Sequence, residues 1–111
     1  MIKTLPPCPV ETTLTLISNK WSILILRDLM DGTKRFNQLQ KSLGGISQKV
    51  LTSNLRDMEE YGIVNREVFP LVPPKVEYSL TALGESLHPV ILALAEWGCE
   101  YKKAVLNNST K

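Results

Sequence analysis

A chain of 111 residues with 43% hydrophobic and 22% charged side chains has the size and composition of one ordinary globular domain, which excludes a disordered, collagenous or disulfide-stapled chain. Its formal charge of +2, from 13 Lys and Arg against 11 Asp and Glu, is too weak to argue for nucleic acid by itself, so such a case rests on where the charges sit. Cys8, Cys99 and His88 lack the paired four-ligand spacings of structural zinc, so no metal and no other cofactor is expected.

In chain order, Pro6 and Pro7 make residues 1–7 an extended arm, and Pro9 suits the first turn of a helix that carries Val10, Leu14 and Ile17. A second helix from about Trp21 to Met30 is apolar on nearly every side through Ile23-Leu24-Ile25-Leu26, which marks it as the central buried helix, and Asp31-Gly32 stops it. Thr33 to Phe36 has room for no more than a single strand bridge. Asn37 then reads as the cap of a short helix to Leu43, and Gly44-Gly45 as a turn. Ser47 caps a helix running to Tyr61, closed by Gly62.

After Gly62 the period changes. Ile63 to Phe69 is rich in β-branched and aromatic residues, Pro70-Leu71-Val72-Pro73-Pro74 breaks it, and Lys75 to Leu80 alternates with Val76, Tyr78 and Leu80 on one face. That is a hairpin with a proline-containing tip. Thr81 caps a last long helix that Pro89 should kink or divide, and 107–111 reads as a frayed polar tail.

A short helix, a glycine turn and a Ser-capped helix make a helix-turn-helix over 37–61; the hairpin over 63–80 adds a wing. The fold class is therefore mainly α with a small β-hairpin (α+β): a winged helix-turn-helix with N-terminal helices over 8–30 and a C-terminal helix over 81–106. At ~100° per residue, Val50, Leu51, Leu55, Met58 and Tyr61 fall in one arc and face the core, while Gln48, Lys49, Thr52, Ser53 and Arg56 fall opposite. That polar arc holds no acid in its first half; Asp57, Glu59 and Glu60 come later. Gln can address adenine, Lys or Arg guanine or phosphate, and Thr a thymine methyl; Ser47 leaves N–H groups suited to phosphate. An amphipathic helix alone is as well explained by a solvated polar face. The combination of cap, turn, charge gradient and hairpin favours a duplex DNA partner, with Lys34, Arg35, Lys41, Arg66 and Lys75 as flanking phosphate contacts.

At Cys8-Pro9-Val10, Lys20-Trp21, Gly32 with Arg35-Phe36, Gly45-Ile46-Ser47 with Lys49 and Leu51, Leu55-Arg56, Gly62-Ile63-Val64 with Arg66, Pro73 to Thr81, Gly84 and Trp97-Gly98, the chain resembles the HxlR-type winged-helix transcriptional regulators. The likeness spans roughly Cys8 to Tyr101 and departs at Ser18-Asn19, where that family commonly has glycines. The resemblance implies a homodimeric repressor or activator on a pseudo-palindromic operator, and some members sense oxidants or electrophiles with a cysteine at the position of Cys8.

Val90-Ile91-Leu92-Ala93-Leu94-Ala95 makes the last helix apolar on more than one face, so part of it needs a partner. Val10, Leu14, Val90, Ile91, Leu94, Trp97 and Tyr101 are the expected dimer interface. Cys8 has two readings: a thiol sensor, since free N–H groups at a helix start suit an anionic sulfur, or a small apolar residue packed between subunits. Cys99 reads as buried and inert, a Cys8–Cys99 bridge between subunits stays open, and His88 reads as partly exposed. Trp21, Phe36, Tyr78 and Trp97 read as core. With no run of ~20 apolar residues and no signal-peptide core, a cytoplasmic setting is expected, without membrane contact. Two other classes compete. An enzyme with Cys8 as nucleophile lacks a recognisable base beyond one distant histidine, so no catalysis is expected. A winged-helix protein-interaction module without DNA should not carry an acid-free groove face.

Overall fold

The computed structural model describes residues 4–17 and 19–109. The described elements are α1 (Pro9–Leu16), α2 (Lys20–Met30), β1 (Lys34–Arg35), α3 (Phe36–Ser42), α4 (Gln48–Glu60), β2 (Val64–Phe69), β3 (Lys75–Leu80), α5 (Ala82–Glu85) and α6 (His88–Ser109). Helix α2 is the hub. Its Ile25, Leu26 and Leu29 are buried with Leu39 of α3, with Leu51, Leu55 and Met58 of α4, and with Ile63, Val64 and Tyr78 of the sheet region. Trp21 and Phe36 pack against this core from its edge.

Asn19 caps α2: its Oδ1 accepts the Ser22 N–H at 3.1 Å. Ser18 lies outside the described residues. The sheet is antiparallel in the order β1-β3-β2. Lys34 and Arg35 pair with Tyr78 and Glu77, so β1 is a two-residue strand rather than one bridge.

Several expectations are corrected. Asn37 is not the cap of α3. The helix begins at Phe36, which packs on the core, and Gln38 Oε1 reaches back to accept the Arg35 N–H at 2.8 Å. Val50 is 37% exposed instead of buried, because it sits at the margin of the apolar arc of α4. Asn54 takes the inner place, and its amide donates to the Val50 carbonyl at 2.9 Å.

The C-terminal segment is divided in two, one of the two outcomes expected of Pro89. Thr81 caps the short α5, accepting the Gly84 N–H at 3.0 Å while its hydroxyl donates to Gly62 O at 2.6 Å. Pro89 then occupies the second position of α6, where its missing N–H costs nothing. Helix α6 runs to Ser109, past the end expected for it and into the segment read as a tail; 110–111 lie outside the described residues.

Beyond Ile91, α6 leaves the body of the domain. Trp97 is 68% exposed and stacks on Tyr101 with ring centroids 5.3 Å apart, so it is not core. Cys99 is likewise exposed rather than buried. Both corrections have one cause: among the described residues, no other element covers this part of the helix.

Candidate nucleic-acid interface

Gly44 and Gly45 join α3 to α4 with φ of 30° and 88°, a region that glycine enters without strain. Ser47 then starts α4, its Oγ accepting the Val50 N–H at 3.1 Å. Leu51, Leu55 and Met58 clamp α4 to the core, which fixes the rotation of the helix about its axis. Gln48, Lys49, Thr52, Ser53 and Arg56 are consequently all exposed and line one continuous shallow surface together with Asp57.

Beside it, a cleft of about 370 Å³ separates α4 from the wing. Thr52, Leu55, Arg56 and Glu59 form one wall, and Arg66 and Tyr78 the other. Arg66, from a different element, is thereby brought to the same surface as Thr52 and Arg56. Glu59, which the sequence places toward the far end of the helix, also reaches this cleft. A carboxylate in a cleft that two arginines also line can accept from cytosine N4.

Lys34, Arg35 and Lys75 do not line that cleft. Lys34 pairs with Asp31 at 3.6 Å. Arg35 precedes α3 and lies across from Glu77. Lys75 places its Nζ 3.4 Å from Glu77 Oε2 and 4.6 Å from the centre of the Phe69 ring. In β3 its side chain alternates to the face opposite Tyr78, away from the cleft. The side of the hairpin that meets α4 follows from packing, and cross-strand register was the signal that could have paired Arg66 with Tyr78 in advance.

Cys8 is the exposed N-cap of α1, its carbonyl accepting the Thr12 N–H at 3.0 Å. Val10 and Leu14 of α1 are exposed, Val90 and Ile91 are half-buried, and Leu94, Trp97 and Tyr101 are exposed. The expected interface residues thus lie on two helices and remain largely uncovered. Among the described residues no three His, Cys, Asp or Glu side chains gather as a metal site, and no helix is long and apolar enough to cross a membrane.

The sequence pattern described as HxlR-like helix-turn-helix matches residues 16–105. The HTH-type transcriptional regulator YdeP of Bacillus subtilis (strain 168) is 51% identical over 98 residues, covering 88% of this chain and 77% of that protein. A solved structure of the redox regulator HypR in its oxidised form is 48% identical with a TM-score of 0.80, covering 84% of this chain and 96% of that one. The reduced form of the transcriptional regulator YodB from B. subtilis is 39% identical with a TM-score of 0.72, covering 83% and 91%. With a Ser-capped reading helix, a wing beside it and these relatives, the chain belongs to the HxlR-like helix-turn-helix family of DNA-binding transcriptional regulators.

Proposed function

We propose that two copies of the chain bind a pseudo-palindromic duplex operator in the cytoplasm, each setting α4 into a major groove about one duplex turn, ~34–36 Å, from the other. The observation that carries this reading is the exposed face Gln48-Lys49-Thr52-Ser53-Arg56, whose leading half holds donors and a cation but no acid. Gln48 suits adenine, Lys49 and Arg56 suit guanine or phosphate, Thr52 a thymine methyl, and Ser47 the approach of a phosphate. Arg66 adds a phosphate contact from the wing, while Lys34, Arg35 and Lys75 reach phosphate only at the margins. Such a chain acts by occupying DNA and needs no catalytic group.

The second copy is supported by α6. Leu94, Trp97 and Tyr101 present an apolar strip that nothing among the described residues covers, and Val10 and Leu14 of α1 are exposed apolar residues as well. Lys49→Ala is expected to weaken binding by about 1–3 kcal/mol on a duplex selected by the wild-type protein, read by gel shift. Native mass spectrometry should find two chains per duplex. Unchanged affinity takes Lys49 out of the interface, and one chain per duplex removes the dimer.

Thiol control is a second reading, favoured by the exposure of Cys8 at a helix start and by the likeness to a protein described as a redox regulator. Diamide is expected to alter DNA binding of the wild type and to leave Cys8→Ser unaffected. A wild type indifferent to diamide ends this reading without touching the DNA interface.

A further inference from the structure

The cleft between α4 and the wing is lined by charges that do not satisfy one another. Arg56 and Glu59 stand on its helix wall and Arg66 on its strand wall, all three exposed. Among the described residues, none of the three has an ion-pair partner. Arg66 pairs across the ladder with Tyr78, and both line the cleft; Glu67 and Glu77, the next pair, therefore turn to the other face of the hairpin. Glu59 is thus the one acid lining the cleft.

Leu55 and Tyr78 line the same cleft and are only 2% and 9% exposed. Tyr78 is nine-tenths buried, yet its hydroxyl has no hydrogen-bond partner among the described residues. A polar group so placed is ordinarily satisfied by protein, water or ligand. Thr52 adds a second hydroxyl. A concavity of about 370 Å³ with buried apolar surface and a few convergent polar groups has the form of a small-molecule site. A duplex strand uses this chemistry only in part, since its phosphates suit the two guanidiniums and are repelled by Glu59. A small molecule that carries a cation besides its anionic groups uses all of it. Two guanidiniums and one carboxylate leave a net charge of +1, which two carboxylates and one ammonium on a ligand complement.

We propose that this cleft is an effector site for a small amino-dicarboxylate. Arg56 and Arg66 hold the carboxylates, Glu59 accepts from the ammonium, and the hydroxyls of Thr52 and Tyr78 donate to carboxylate oxygens. Arg56 and Arg66 are also the groups that meet the duplex, so ligand and DNA exclude each other. That exclusion rests on the DNA-binding reading; the binding of the ligand does not. By linkage, a ligand present at ten times its Kd lowers duplex affinity about elevenfold.

The probes are L-aspartate and L-glutamate. Succinate and glutarate lack the ammonium, and L-asparagine and L-glutamine lack one carboxylate. Titration calorimetry compares all six on the wild type, Glu59→Gln and Arg66→Ala. At least one probe is expected to bind the wild type about tenfold or more tightly than its two controls, the worth of one charge-assisted hydrogen bond. Glu59→Gln should erase the preference over the diacid, and Arg66→Ala the preference over the amide. Both side chains are exposed, so the fold is not at stake. In parallel, a duplex recovered from a random-sequence pool by the wild-type protein is titrated with each compound at constant ionic strength, because duplex binding falls with salt alone. The favoured probe should release the duplex at concentrations where its diacid control does not. Absence of binding by both probes overturns the site, as does binding that both variants leave unaltered. Binding that the variants abolish, with the duplex retained, overturns the exclusion and leaves the DNA-binding reading standing. If the wild type recovers no duplex, the DNA-binding reading fails and calorimetry by itself decides the site.

Discussion

Leu51→Ala is expected to lower the unfolding free energy by about 2–5 kcal/mol, the range for emptying a buried leucine site. Leu51 is 0% exposed and lies in one cluster with Ile25 and Leu26 of α2 and Met58 of its own helix. It points opposite to Thr52 and Arg56, so the substitution leaves the DNA-facing side chains untouched while loosening the clamp that sets the rotation of α4. Urea unfolding measures the loss, at one protein concentration so that association does not shift the midpoint. Val50→Ala, at a 37% exposed site in the same helix turn, serves as the control and should cost well under half as much. Equal losses for the two variants would show that α4 is not seated on this cluster.

Gly84→Ala sets two effects of opposite sign against each other. Within a helix, alanine is favoured over glycine by about 1 kcal/mol. At this position, however, a Cβ would stand 2.3 Å from the Ile63 carbonyl oxygen and 3.2 Å from both the Ile63 carbonyl carbon and Leu80 Cδ2. The oxygen is backbone and cannot swing aside. It also accepts the Thr81 N–H at 3.0 Å and the Thr81 hydroxyl at 3.2 Å, so relieving the clash pulls α5 off the start of β2 and weakens the cap. Sterics therefore win, and a net destabilisation of about 1–3 kcal/mol is expected in urea unfolding, by overpacking against a fixed group. A stabilised variant would mean that α5 does not press on the wing as described. Because this turn ties the end of α4 to the hairpin, the same variant should also lower DNA affinity more than any helix-propensity scale suggests.

The elements were legible because their signals are local. A Ser followed by a helical period, glycines at a turn, and strict alternation over Lys75 to Leu80 each constrain only a few neighbouring bonds, and α4 and β3 lie where those signals put them. The polar arc of α4 was legible for the same reason: once one arc of a helix is apolar, the opposite arc faces out. Caps are less legible, because a competing packing contact can move a helix start by a residue. Asn37 is an excellent cap by type, yet Phe36 gains more by packing on the core, and the helix starts there.

The amino-acid sequence by itself determined the helix-turn-helix and the hairpin after it, the family, and that Gln48, Lys49, Thr52, Ser53 and Arg56 face solvent, since periodicity and caps act within a few residues. Tertiary structure alone decided that Arg66 and not Lys75 lies on the α4 side of the wing, that the hairpin's two glutamates turn away from it, and that Trp97 and Cys99 stay uncovered. The physical reason is that periodicity says which side of an element is apolar, whereas burial depends on what distant part of the chain, or which other molecule, arrives to cover it.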